Sequence, residues 1–258
     1  MLYIYLIIIF ILGLLIGSFL NVVIFRLETE ENIAFDRSKC PSCKHILSWK
    51  DLFPVLSFIF LKGKCRYCLK KISIQYPLVE LMTASFFVFI FSYFFSVTEK
   101  YFIANIIFYF FIISSFIVIS VYDLRHYIIP DKVIYPAIII TALFNFIFAS
   151  PIFLNHLFSA IVAFGFFFVI IVLTKGQGMG GGDAKLGFLM GLILGWPLVF
   201  LAIFLASISG SIIGLALIIG KKKKIKSMIP FGPFLIFGTV VSIFYGEEIV
   251  QWYFDLFL

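Results

Sequence analysis

Charge is scarce in this sequence: 13% of its 258 residues are Asp, Glu, Lys or Arg. Cysteine is scarcer, with four residues, none of them in a long apolar block. The shortage of charge excludes a soluble globular domain. The chain is 63% hydrophobic with 36 Phe and a mean hydropathy of +1.15, more apolar surface than such a domain needs. The first apolar block, residues 2–25, lacks a basic start and a small-residue cleavage site, which excludes a removed signal peptide and leaves a retained spanning helix. No internal repeat is visible, and no soluble domain exists beyond one polar loop. Stretches of ~20 apolar residues recur instead, the signature of an all-α polytopic membrane protein. The net charge of +7 then speaks of topology and anionic lipid, and nucleic acid is not expected as a partner.

The apolar blocks predict about eight transmembrane helices. They fall at 2–25, 77–97, 101–121, 133–149, 152–173, 184–194, 198–219 and 229–245, with 246–258 lying along the interface. Gly195-Trp196-Pro197 breaks the 34-residue run 186–219 and leaves a short sixth helix. The expected organisation is a first helix (1–27), a cytosolic cysteine loop (28–75) and a helical bundle (76–258). Loops 26–76, 122–132, 174–185 and 220–227 hold 10, 2, 2 and 5 Lys plus Arg, or 19 of the 20. The positive-inside rule therefore puts these loops in the cytosol and both termini outside.

Two acids fall on that cytosolic side. The stretch 174–185 reads TKGQGMGGGDAK, in which Gly176, Gly178, Gly180, Gly181 and Gly182 lead up to Asp183. An acid at the mouth of an apolar helix is expensive to desolvate and is a functional candidate; its ordinary alternative is a helix cap. Asp123 closes the third span in VYDLRHYIIPD. Two carboxylates brought together in a dry site share one proton, the arrangement that activates water against a peptide bond. Asp123 has the alternative of pairing with Arg125, and His126 reads as an interfacial residue. Asp131 is a third carboxylate candidate, with helix capping as its alternative.

Cys40-Pro-Ser-Cys43 and Cys65-Arg-Tyr-Cys68 are two C-x-x-C knuckles 21 residues apart. Four thiolates at this spacing suit a structural zinc ion, a staple for a loop too small to build a core. A cytosolic location disfavours disulfides there, and a pair of redox-active dithiols is the alternative.

Taken together, GSFLNVVIFRL (17–27), the cysteine loop (40–68), ISIQYPLVE (72–80), DLRHYIIPD (123–131) and GMGGGDAK (178–185) resemble the type IV prepilin peptidases. The last motif is similar to the GxGD signature of intramembrane aspartic proteases. The resemblance implies a bifunctional enzyme of the bacterial inner membrane, active on its cytosolic face. It implies cleavage of a prepilin or pseudopilin after a Gly, then methylation of the new amine from S-adenosylmethionine. It places the catalytic aspartates at Asp123 and Asp183, the zinc ligands at Cys40, Cys43, Cys65 and Cys68, and a pair linked to methyl transfer at Gly63 and Lys64. Glu28 stands where the family often has proline. Acids Glu28, Glu30 and Glu31 are expected to receive the basic leader. Three other readings stay open: a leader peptidase without methyl transfer, a cation-coupled transporter, and a pilus-assembly scaffold.

Overall fold

A computed structural model describes residues 2–29, 37–97, 101–176, 179–220 and 228–257. Its helices are α1 (Leu2–Thr29), α2 (Leu56–Phe60), α3 (Gln75–Val97), α4 (Phe102–His126), α5 (Asp131–Phe148), α6 (Phe153–Leu173), α7 (Gly181–Leu194), α8 (Leu198–Ile219) and α9 (Gly232–Phe257). Among the described residues there is no strand, only two isolated bridges. Among the described residues, seven helices are long and apolar enough to cross a membrane. The remaining expected span, the short sixth, is α7, whose 14 residues reach ~21 Å at 1.5 Å per residue, short of the ~30 Å hydrocarbon core. The chain forms two compact units, Met1–Val118 and Ile119–Leu258.

Within the first unit, α1 and α3 pack backbone to backbone. The glycines at 13 and 17 are the reason: a Cβ at Gly13 would stand 2.5 Å from Ala84 Cα, and one at Gly17 2.6 Å from Glu80 Cα. Without a hydrophobic drive between helices in lipid, such small-residue contacts supply the packing. Asn21 Nδ2 donates to the carbonyl of Tyr76 at 3.1 Å, fixing the register near the start of α3. The stacked rings of Phe87 and Phe110, 3.8 Å apart, join α3 to α4.

The second unit is built around α7. Leu186, Leu189 and Met190 are fully buried, as are most residues of this helix. Gly187 and Gly191 let α6 approach, and a Cβ at Gly191 would overlap the backbone of Ala160. At the far end, Asn145 Nδ2 donates to the Leu192 carbonyl at 2.6 Å, and Asn155 Oδ1 accepts the Trp196 N–H at 2.7 Å. Gly191→Val forces α6 away from α7 along backbone that cannot give. A loss of about 3 kcal/mol, the upper part of the overpacking range, is expected, read as a lower melting temperature in detergent.

Four boundaries differ from the sequence expectation. α4 runs through His126 and stops where Tyr127 takes φ 58°, three residues before Pro130, so Asp123 lies inside the helix rather than at its junction with a loop. α7 starts at Gly181 and absorbs two glycines expected in the loop. α1 continues to Thr29. Residues 246–257 continue α9 in one helix instead of forming a separate interfacial segment, because nothing after Gly246 interrupts it. Gln177, Gly178, Glu30, Glu31 and the side chain of Glu28 lie outside the described residues.

Candidate active site and cysteine cluster

Asp123 is 4% exposed, although it lies within a turn of the end of α4. Its Oδ2 accepts the backbone N–H of Gly232 at 3.0 Å. Gly232 is the first residue of α9, so the carboxylate sits at the positive end of a helix dipole. The site has no room for a side chain there: a Cβ at Gly232 would stand 2.6 Å from Asp123 Oδ2.

Asp183 is half-buried in the first turn of α7, and its Oδ2 accepts the N–H of Gly180 at 3.2 Å. The capping alternative is thus present in fact, since the carboxylate closes the orphan donor before its own helix. Two helix N-termini, those of α7 and α9, therefore each hold one acid. Ile129 joins the two places, because its side chain packs where a Cβ would grow from Gly182 and again from Gly232. Asp123 lies within electrostatic reach of Asp183.

Asp131 is different. It is exposed at the first residue of α5, makes no side-chain cap, and pairs with Lys185 Nζ at 2.6 Å. Lys185 also lies 4.9 Å over the ring of Tyr135. The capping alternative for Asp131 gives way to this ion pair, because a lysine two residues beyond Asp183 reaches across to it. His126 packs on Tyr122 with ring centroids 4.5 Å apart.

Gly232 and Ile129 were not among the residues the sequence pointed to. The available signal was weak: Phe231-Gly232-Pro233 opens the last span on the same side as both acids.

In the first unit the four cysteine sulfurs lie within 4.8 Å of one another and could hold a metal ion. All four cysteines are free, with Cys40 and Cys68 Sγ 3.9 Å apart, far beyond a disulfide bond. The two knuckles share one backbone pattern. Cys40 N–H donates to His45 O and Lys44 N–H to Cys40 O; Cys65 N–H donates to Lys70 O and Leu69 N–H to Cys65 O. Lys44 and Leu69 both take φ near 60°, and the bridges Lys39↔Ile46 and Lys64↔Lys71 fall at matching offsets. The loop is a duplicated turn, and the repeated Lys-Cys-x-x-Cys at 39–43 and 64–68 is its mark in the sequence.

Asp51 locks the connecting segment to the second knuckle. It takes Arg66 Nε at 2.7 Å, Ser48 Oγ at 2.7 Å and Tyr67 Oη at 3.2 Å. Burial opposes ionisation of Asp51, but the Arg66 and Ser48 contacts outweigh it and hold its carboxyl below the ordinary carboxylate range. With a depressed folded value, this contribution is complete above the ordinary Asp pKa and fades as pH falls through the folded one. Loop protection measured by hydrogen exchange should drop on that acid limb, and Asp51→Asn should remove the dependence.

Gly63 and Lys64 lie beside this cluster. Gly63, at φ 67°, ends α2: its N–H donates to Phe58 O and its carbonyl accepts Ile72 N–H, both at 2.8 Å.

A family model described as Bacterial Peptidase A24 N-terminal domain matches residues 11–94, and one described as Type IV leader peptidase family matches residues 110–215. Over 251 residues the chain is 32% identical to the prepilin leader peptidase/N-methyltransferase of Bacillus subtilis (strain 168), covering 97% of this chain and 98% of that protein. The chain belongs to the type IV leader peptidase family. Proteins of the same name from Aeromonas hydrophila and Pseudomonas aeruginosa are each 30% identical, over 99% and 94% of this leader peptidase and 96% and 91% of their own lengths. The first family model takes in the whole cysteine cluster of the leader peptidase and the second takes in both aspartates, stopping short of Gly232. No solved structure is a significant match.

Proposed function

We propose that this leader peptidase cleaves prepilins or pseudopilins after a Gly on the cytosolic side of the bacterial inner membrane and then methylates the new N-terminal amine. Asp123 and Asp183 are the proposed hydrolytic pair. The observation that carries this is the burial of Asp123 against the α9 N-terminus, in electrostatic reach of an Asp183 held at the α7 N-terminus. Neighbouring carboxylates cannot both ionise cheaply, so the pair holds one proton and titrates as a unit. The ionised member takes a proton from water. The water oxygen bonds to the scissile carbonyl carbon, and the protonated member donates to the carbonyl oxygen. Collapse breaks the C–N bond: the leaving amine takes a proton from one member while a hydroxyl of the intermediate returns its proton to the other, so the pair ends with the single proton it began with. Gly232 N–H and Gly180 N–H keep both carboxylates oriented through these transfers. Gly232→Ala, which crowds Oδ2 of Asp123, should lower kcat about tenfold with little change in KM.

Functionally the chain divides into the first helix (1–27), the cysteine loop (28–75) and the protease bundle (76–258). Zinc is the proposed metal of the loop. Four Zn–S bonds of ~2.3 Å in a tetrahedron set sulfurs ~3.8 Å apart, close to the 3.9 Å between Cys40 and Cys68. All four positions are filled by thiolates, so the ion is structural. S-adenosylmethionine supplies the methyl group when bound. Gly63 has both backbone groups engaged in the turn, so it offers no free backbone cradle.

Purified protein with a prepilin and methyl-labelled S-adenosylmethionine tests the reading. Leader release together with label on the new amine is expected. Release without label reduces the chain to a peptidase, and no release removes the proposal altogether.

A further inference from the structure

The segment between the two knuckles turns an unusual surface outward. Trp49, Phe53, Leu56, Ile59 and Phe60 are 68%, 48%, 53%, 61% and 79% exposed. A water-facing loop does not ordinarily leave so much contiguous apolar surface uncovered. Beside it runs an open groove of about 750 Å³, with Val55, Phe58 and Ile59 on one wall and Leu78, Leu81 and Phe89 of α3 on the other.

Three observations say what covers this surface. The α3 wall belongs to one of the seven spans, so the groove is continuous with surface already in the bilayer. From Pro77 to Phe89 it follows α3 for ~18 Å, starting where that helix begins. Next, the segment is fixed at this level: the Val55 N–H donates at 2.7 Å to the carboxylate of Glu80, a residue 6% exposed one turn into α3. Finally, residues 37–75 contain nine Lys or Arg and a single acid, Asp51. A basic segment beside a membrane helix is drawn to anionic headgroups.

We propose that this face is a phospholipid-docking surface. The segment 49–60 lies in the headgroup–acyl boundary of the leaflet that α3 enters, and an acyl chain fills the groove between α2 and α3. The basic loop meets anionic headgroups, which holds the cysteine cluster against the membrane surface. This rests on α3 spanning the bilayer and not on the aspartate pair.

The test uses the full chain in vesicles of phosphatidylcholine and phosphatidylglycerol. Trp196→Phe and Trp252→Phe leave Trp49 as the sole tryptophan. A second reporter adds Trp49→Phe and Phe60→Trp, so that a folding defect in either variant leaves the other. Both indoles should emit to the blue, lose most of their emission to acyl chains brominated near the glycerol end, and resist aqueous iodide. The blue shift should shrink in phosphatidylcholine alone; no change there overturns the anionic part. Free quenching by iodide with none by brominated lipid overturns the whole. Iodide access that vanishes only when a prepilin is added assigns the face to a protein partner and overturns it equally.

Discussion

Asp123→Asn and Asp183→Asn each reduce leader cleavage by about 10²–10⁴-fold in kcat, the range for loss of an acid–base partner. Asparagine keeps an oxygen that can accept the Gly232 or Gly180 N–H, so the helix ends stay where they are and only the proton chemistry is lost. Methyl transfer to a synthetic peptide that already carries the mature N-terminus should continue in both variants. Asp131→Asn is the informative control. That carboxylate is exposed and paired with Lys185, and an exposed ion pair contributes about 0–1 kcal/mol, so cleavage should stay near normal. Released leader quantified by mass spectrometry checks all three. A fully active Asp123→Asn or Asp183→Asn protein rejects the pair. A dead Asp131→Asn protein with normal thermal stability means that the wrong carboxylate has been chosen.

The second large effect concerns the metal. Structural zinc in zinc-finger peptides binds with an apparent ~10–16 kcal/mol near neutral pH, and that energy is folding energy. Stripping the ion with a chelator, or replacing Cys40 and Cys65 with Ser, should therefore unfold the loop 37–75 while leaving the unit Ile119–Leu258 intact. Methyl transfer should disappear and leader cleavage should survive. The check is metal content of about one zinc per chain, with hydrogen exchange read separately over the loop and over α7. Cysteine variants that retain the ion and normal methyl transfer would remove the staple from the account.

Much of this was readable in the residues. Periodic apolar blocks show themselves without any tertiary knowledge, and a doubled C-x-x-C restricts its own chemistry. The break at Gly195-Trp196-Pro197 fell where α7 and α8 part. What stayed hidden depended on long-range approach. Gly232 lies 109 residues from Asp123 in the chain, and nothing in its local pattern says that its N–H meets a carboxylate. The Asp131–Lys185 pair joins two motifs 54 residues apart, so a local reading gave Asp131 a cap it does not make. The twin turns of the cysteine loop share Lys-Cys-x-x-Cys in sequence, but the backbone bonds that make them one repeated turn, Cys40 N–H to His45 O and Cys65 N–H to Lys70 O, are not legible there. The extra turn of α4 was hidden because the charged and polar Asp123, Arg125 and His126 look like loop, yet 123–126 stay helical until Tyr127 turns left-handed.

The half-length helix α7 also bears on how the chain is made. Wrapped by neighbours and rich in glycine, it is too short to span the hydrocarbon core by itself. Its entry must be carried by the long helices flanking it, α6 before and α8 after. The acid at its tip is therefore set in place by a segment that depends on its neighbours to reach the membrane interior.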